Sequence, residues 1–125
     1  DKILYFKKNG KLIFIRGGKK EYLENKQAAL NLAEERINYF NKIYSLAFNK
    51  ITVKRQKTRW GSCSKKGNLN FNSKILFLPE HMADYIIVHE LCHLKEFNHS
   101  RKFWNLVERA MPDYLKIKKE LRFNN

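Results

Sequence analysis

The stretch that decides the fold is VHELCHLKEFNH, which runs from Val88 to His99. It holds three of the four histidines in the chain, and a glutamate, Glu90, directly follows the first of them. The apolar run just before it predicts that the first part of this stretch is a buried helix. Residues four apart lie on one face of a helix, so His89 and His93 present two imidazoles side by side.

This arrangement is typical of a metal-dependent hydrolase. Two imidazoles can bind one Zn²⁺ through nitrogen, and the H-E-x-x-H spacing lets the carboxylate of Glu90 reach a water bound to that metal. A catalytic zinc needs three protein ligands and one open position. His99 is the candidate third ligand, because it lies beyond the expected helix end and the chain can turn back there. We therefore predict one Zn²⁺ per chain, held by His89, His93 and His99, with Glu90 as the catalytic general base.

The two cysteines are not assigned to this site. Cys92 follows His89 by three residues and precedes His93 by one, which turns it away from the histidine face and predicts a small buried side chain. Cys63 is disfavoured as a nucleophile, because a metal-bound hydroxide would already be the nucleophile. Neither cysteine belongs to a CxxC pair, and two free thiols without a signal-peptide pattern favour a cytoplasmic protein.

Length and composition suit one globular domain over residues 1–125. The chain is 43% hydrophobic, and 26 Lys+Arg against 12 Asp+Glu give a formal charge of +14. No apolar run approaches the roughly 20 residues that span a bilayer, so no membrane partner is expected. The positive charge predicts non-specific contact with nucleic acid, although its lysines look spread along the chain. The chain starts at Asp1 without an initiator methionine, which leaves room for a longer parent chain.

The pattern of the remaining sequence predicts short strands and several helices, which is an α+β fold. Asn-Gly between two apolar runs predicts an N-terminal hairpin at about 3–16. A helix is expected at about 25–48, followed by strands at Ile51–Val53, Trp60–Cys63 and Leu69–Asn72. The helix that carries the motif is expected at about 79–95, with a left-handed Asn98 as its stop. A third helix should begin after the N-cap Ser100 and end at Pro112-Asp113, and a last helix is expected at 114–121.

A second unusual stretch, RWGSC, covers residues 59–63. Gly61 weakens a strand and permits close approach of another backbone, such as an extended substrate added to a sheet edge. Arg59, Ser62 and, further along, Tyr114 are candidates for binding substrate and stabilising developing negative charge. The alternative is that Trp60 belongs to the core and Arg59 is a surface cation, and the sequence leaves both open.

Together these motifs resemble a known family. R-W-G-S-C-S, L-N-F-N, V-H-E-L-C-H-L-K-E-F-N-H-S, F-W and M-P-D-Y occur in this order between about Ile51 and Leu121. The chain is thereby similar to the YgjP-like metal-dependent hydrolases, relatives of the SprT-like and WLM zincins. The resemblance implies a compact zincin-like fold, a small, twisted, mainly antiparallel sheet packed on helices with the H-E-x-x-H motif on the central helix. It also implies His89, His93 and His99 as ligands and Glu90 as the base.

The ligand spacing also equals that of the metzincins, H-E-x-x-H-x-x-G-x-x-H. Glu96 stands where those proteins have glycine. A metzincin is therefore not expected, and Met111 is not interpreted as its Met-turn.

Three functions remain compatible with the sequence. The first is a zinc-dependent peptidase. The second is a nucleotide phosphohydrolase (pyrophosphatase), in which Arg59, Lys65 and Lys66 would bind phosphate. The third is a non-catalytic, zinc-stabilised nucleic-acid-binding module, which needs a fourth protein ligand. His81 is the remaining histidine, and it lies too far along the helix from His89 if that helix is continuous.

Overall fold

The computed structural model describes residues 4–15 and 17–121 and has an α+β fold, as predicted. The chain order is β1 (Leu4–Lys8), β2 (Lys11–Ile15), α1 (Lys19–Tyr44), β3 (Lys50–Lys54), β4 (Gly61–Cys63), β5 (Asn68–Asn72), a 3₁₀ helix (Ser73–Phe77), α2 (Glu80–His93), α3 (Arg101–Ala110) and α4 (Tyr114–Glu120). Across the described ranges, no helix combines the length and the apolarity needed to cross a membrane.

Strands β1 and β2 form the predicted hairpin, with Leu4 opposite Ile15. Asn9 and Gly10 both have positive φ, 52° and 77°. Two consecutive left-handed residues make the tight turn whose twist matches that of the flanking strands, which explains the Asn-Gly pair. The outer ends of the predicted range, at positions 3 and 16, lie outside the described residues.

The three-stranded sheet has the order β3-β5-β4, so β4 is an outer strand. β4 pairs antiparallel with β5, whereas β3 pairs parallel with it. Side chains alternate between the two faces of a strand. Leu69 and Phe71 of β5 are buried in the core, and Asn70 points the other way, where it accepts a hydrogen bond from Thr52 and donates one to Ser62.

Helix α1 differs from its predicted range at both ends. It starts earlier because Glu21 caps the backbone N–H of Gly18 at 2.8 Å, a signal that apolar periodicity does not contain. It ends at Tyr44 because Ser45 turns left-handed with φ 52°. The amide of Asn41 then exchanges two hydrogen bonds of 2.9 Å with the backbone of Leu46, which fixes the exit of the chain.

Helix α2 carries the H-E-x-x-H motif and is the most deeply buried helix, since every residue from Met82 to His93 is buried. A 3₁₀ helix, Ser73–Phe77, lies just before it. The predicted left-handed stop at Asn98 is wrong: among the described non-glycine residues, positive φ occurs at Asn9 and Ser45. α2 instead ends at His93 with Leu94 still helical in φ and ψ, and the chain leaves through turns that bond Lys95 and Glu96 to Cys92.

The next two helices follow the predicted signals closely. The hydroxyl of Ser100 accepts a hydrogen bond from the backbone N–H of Phe103 at 3.4 Å, so Ser100 is the predicted N-cap of α3. α3 ends at Ala110, just before Pro112, and α4 begins at Tyr114. This arrangement sets the start of α3, and with it His99, beside the end of α2.

Candidate metal centre

Three histidines from two parts of the chain meet at the C-terminal end of α2. The Nε2 atom of His99 lies 3.2 Å from Nε2 of His93 and 3.2 Å from Nε2 of His89. The candidate ligand atoms of all three lie within 4.8 Å of one another. Two Zn–N bonds of about 2.05 Å at a tetrahedral angle place their nitrogens about 3.3 Å apart, so this spacing fits a shared zinc ion.

The far side of the imidazole of His93 is anchored. Its Nδ1 lies 2.9 Å from the backbone carbonyl oxygen of Glu96, which can only accept a hydrogen bond. The proton therefore sits on Nδ1, and the lone pair of Nε2 faces the other histidines. Metal-binding histidines are commonly oriented by such a bond. Glu96, which occupies the metzincin glycine position, thus orients the ring of His93 through its backbone carbonyl.

Two aromatic side chains of α3 pack against the imidazole rings of the three histidines. Phe103 is fully buried and stacks on His93 with ring centroids 4.4 Å apart. It also meets His89 edge-on at 5.0 Å and His99 at 5.1 Å. Trp104 lies nearly parallel to the ring of His99, at 5.8 Å and 24°. His99 itself is exposed, and its ring contacts both of these aromatic side chains.

The environment keeps the histidines neutral. Burial lowers the pKa of His89 and His93 below the ordinary value, most strongly for His89. The pKa of His99 is lowered as well, first by burial and then by the positive charge of Lys118. Neutral imidazole is the form that binds a metal, so the electrostatics agree with the spacing.

Glu90 lies fully buried beside this cluster, with its Oε2 atom 3.3 Å from Nδ1 of His89. Its other neighbour is the outer strand β4. A Cβ atom built on Gly61 would stand 3.0 Å from Cγ of Glu90 and 3.3 Å from its Oε2. The close approach that requires a glycine here therefore involves the glutamate of the same chain, rather than the substrate backbone considered from the sequence.

The remaining predicted residues are placed differently. The hydroxyl of Ser62 accepts a hydrogen bond from Asn70 at 3.3 Å, and strand alternation turns it to the face away from Glu90. Arg59 is exposed, whereas Trp60 is fully buried, in agreement with the alternative that made Trp60 a core residue. Tyr114 is near the centre, since its ring stacks on Trp104 at 5.1 Å and 11°.

Both thiols have a raised pKa. Burial, and then the charge of Glu90, raise the pKa of Cys63 to about 11, and burial raises that of Cys92 to about 12. Cys92 is fully buried and is not part of the cluster of candidate ligands.

Two residues near the metal centre, Tyr85 and Lys118, were not predicted from the sequence. Tyr85 is fully buried, four residues before His89, with the ring centroids 5.8 Å apart. Burial and the charge of Glu90 raise its pKa, so its phenol stays protonated. The four-residue spacing could have identified it. The ammonium group of Lys118, 4.4 Å from the ring of Trp104, has no such local signal because it comes from α4.

Known proteins that are similar to this chain include metallopeptidases. The chain is similar to two solved structures: the metallopeptidase zymogen abylysin of Pyrococcus abyssi, with 27% identity and a TM-score of 0.63, and the metallopeptidase zymogen jannalysin of Methanocaldococcus jannaschii, with 26% and 0.60. Each alignment covers 70% of this chain, and 89% and 90% of those chains respectively. No curated relative matches in sequence. The family model "YgjP-like, metallopeptidase domain" matches residues 16–124, and the chain therefore belongs to the YgjP-like metallopeptidase family.

Proposed function

We propose that this protein is a zinc-dependent peptidase in which His89, His93 and His99 hold the metal and Glu90 is the general base. The observation that carries the proposal is the pair of 3.2 Å Nε2–Nε2 distances beside a buried glutamate. A zinc ion bound there would polarise the scissile carbonyl and lower the pKa of water.

Glu90 is placed for proton transfer. Gly61 on one side and His89 on the other limit where its carboxylate can go. In the proposed reaction this carboxylate takes a proton from the attacking water and later delivers it to the leaving amine. The phenol of Tyr85 stays protonated in the same region, because burial and the charge of Glu90 raise its pKa.

A peptide substrate is supported by the position of the sheet. β4 is an outer strand, and Gly61 brings it directly against Glu90. An extended peptide beside such a strand would be held by backbone hydrogen bonds, and its scissile bond would lie near the histidines. Tyr114, stacked on Trp104 next to His99, is the predicted substrate-contact residue that lies nearest to the ligands.

The two alternatives have less support. In the phosphohydrolase hypothesis, Arg59, Lys65 and Lys66 would bind phosphate beside the metal. The cation whose charge acts on His89 and His99 is instead Lys118, from α4. A closed structural zinc site needs a fourth ligand. α2 is continuous from Glu80 to His93, so His81 lies about 12 Å from His89 along the axis. An open fourth position is what catalysis needs.

The test compares zinc-loaded wild type with Glu90→Gln on a mixture of peptides, with cleavage followed by mass spectrometry. We expect cleavage by wild type and a loss of roughly 100- to 10,000-fold in the variant, at equal zinc content. Wild type that carries zinc but cleaves no peptide, or a variant as active as wild type, would overturn the proposal. Phosphate release from nucleoside triphosphates in a parallel reaction, without peptide cleavage, would favour the phosphohydrolase.

The location that suits this proposal is the cytoplasm. Cys63 and Cys92 are both free thiols in the structure, which fits a reducing compartment.

A further inference from the structure

The net positive charge of the chain is concentrated in one segment because that segment lacks acidic residues, although the lysines themselves are spread along the chain. Residues 45–79 contain no Asp or Glu. They contain eight cationic residues, namely Lys50, Lys54, Arg55, Lys57, Arg59, Lys65, Lys66 and Lys74. This segment is the three-stranded sheet with its connections and the following 3₁₀ helix, so more than half of the net charge belongs to one structural unit.

One face of the sheet is turned toward the metal centre. Gly61 of β4 packs against Glu90, and the charge of Glu90 acts on Cys63, two residues further along the same strand. The register places Gly61 opposite Phe71 and Cys63 opposite Leu69, both of which are core residues. This face is therefore covered by the helical part of the molecule.

The other face is polar across all three strands. Thr52 of β3 bonds to Asn70 of β5, and Asn70 in turn donates to Ser62 of β4, so one side chain from each strand forms a continuous row. Lys50 and Lys54 lie two residues before and after Thr52, and both are exposed. Strand alternation puts them on the same face as this row. We call this surface, made of Lys50, Thr52, Lys54, Ser62 and Asn70, the outer sheet face.

Other cations border this face. Lys57 and Arg59 lie in the connection from β3 to β4, and Lys65 and Lys66 in the turn from β4 to β5, and all four are exposed. Arg55 is set apart because it lies near Glu21, whose pKa is lowered first by backbone hydrogen bonds and also by the charges of Lys20 and Arg55. At the centre of the outer sheet face, Asn70 is 9% exposed and already bonded to Thr52 and Ser62, so the exposed charged groups of this face are the lysines of β3 and the cations of the adjoining loops.

We infer that the outer sheet face binds the sugar–phosphate backbone of nucleic acid without regard to sequence. Lys, Asn, Ser and Thr side chains are the ones that contact phosphate oxygens, and neutralising phosphates releases counterions. A protein partner would need an apolar patch at the centre of its interface. The large exposed apolar side chains of the described residues lie elsewhere, at Leu12, Ile13, Phe14, Leu23, Tyr39, Ile43, Phe77, Phe97 and Leu115, none of them on β3, β4 or β5.

The test measures binding of a fluorescently labelled single-stranded oligonucleotide of about 20 bases by anisotropy, over a series of salt concentrations. The variant is Lys50→Gln/Lys54→Gln. Its matched control is Lys7→Gln/Lys11→Gln, which also removes two exposed strand lysines, but from the hairpin. Both changes are on the surface, and an unchanged circular dichroism spectrum verifies that each variant is folded.

We expect the sheet variant to bind at least tenfold more weakly at about 100 mM salt, with a salt slope smaller by about 1.4, the value for two lost contacts to a single strand. The hairpin control should stay within about threefold of wild type. Equal losses in both variants would mean a diffuse field rather than a site, and would overturn the inference. So would no binding by wild type at low salt, or displacement of the oligonucleotide by polyglutamate at equal charge concentration, which would indicate an acidic protein partner.

Discussion

Gly61 lies against Glu90 so closely that a Cβ atom at position 61 would stand 3.0 Å from Cγ of the glutamate. The same atom would meet the backbone oxygen of Asn70 at 3.1 Å. That oxygen belongs to the central strand of the sheet and cannot move without disturbing the pairing of β4 with β5. The glutamate side chain must therefore move if any side chain is added at position 61.

This relationship predicts the effect of Gly61→Ala. The added methyl group should displace the carboxylate of Glu90 and lower peptidase activity roughly 10- to 100-fold, because small misplacements of a catalytic group have effects of that size. Zinc content should not change, since the substitution does not touch a histidine. The measurement is kcat/KM together with zinc per chain.

Gly18→Ala is the control for this prediction. Its added Cβ would have no neighbour closer than 3.6 Å, and its φ of −110° is allowed for alanine. It should retain activity. A Gly61→Ala enzyme as active as wild type would show that the position of Glu90 is not critical, or that Glu90 is not the base.

Local spacing was sufficient to predict that the three histidines lie together, but not their surroundings. The His89–His93 pair follows from one turn of helix, and His99 follows from its place after the helix end. The contact between Gly61 and Glu90 joins residues 29 positions apart in different elements, and no periodicity encodes it. The predicted ends of α1 were wrong for a similar reason. Glu21 and Asn41 set these ends through hydrogen bonds between their side chains and the backbone, which periodicity does not encode.

Trp104 is predicted to hold the third histidine. Its ring stacks on His99 at 5.8 Å and on Tyr114 at 5.1 Å. Trp104→Ala would leave the His99 loop without this support, and zinc affinity should fall about 10- to 100-fold, as for other supporting residues of metal sites. Competition with a chelator measures the affinity. Trp104→Phe keeps an aromatic surface and should recover most of it, whereas equal affinity in wild type and the alanine variant would contradict this role.

The pair Arg36–Asp84 is predicted to stabilise the packing of α1 on α2. The guanidinium makes two hydrogen bonds to the carboxylate, of 2.8 and 3.1 Å, and both side chains are mostly buried. Arg36→Ala leaves the charge of Asp84 without this partner and should lower the free energy of unfolding by about 2 kcal/mol. Urea denaturation measures the change.

Arg36→Lys separates charge from geometry in this pair. Lysine retains the positive charge but not the two-pronged contact, nor the stacking of Arg36 on Tyr39 at 4.5 Å. An intermediate loss of stability is expected. If the alanine variant unfolds at the same urea concentration as wild type, the pair contributes nothing measurable.

Cys63 is predicted to resist alkylation at neutral pH. Its pKa of about 11 lies two units above the ordinary value of 9.0, so at pH 8 its thiolate fraction is about 100-fold smaller than that of an ordinary thiol. The rate of reaction with iodoacetamide should rise about tenfold per pH unit until the pH approaches the pKa. Mass spectrometry follows each cysteine, and the unfolded protein in guanidinium is the control. Rapid labelling of Cys63 in the folded protein at pH 7 would contradict the raised pKa.

His99 decides whether the three-histidine site exists. His89 and His93 lie on one helix, and two ligands from one face leave a zinc ion weakly held, so His99→Ala should lose most of the metal. Elemental analysis of wild type should give about one zinc per chain. His81→Ala removes a histidine that is exposed on the first turn of α2, and it should keep the zinc of wild type.

Full zinc in His99→Ala would mean that another residue completes the site. Wild type that takes up no zinc when it is supplied at neutral pH would remove the basis of the proposed peptidase, while the nucleic-acid surface on the opposite face of the sheet could still be tested by itself.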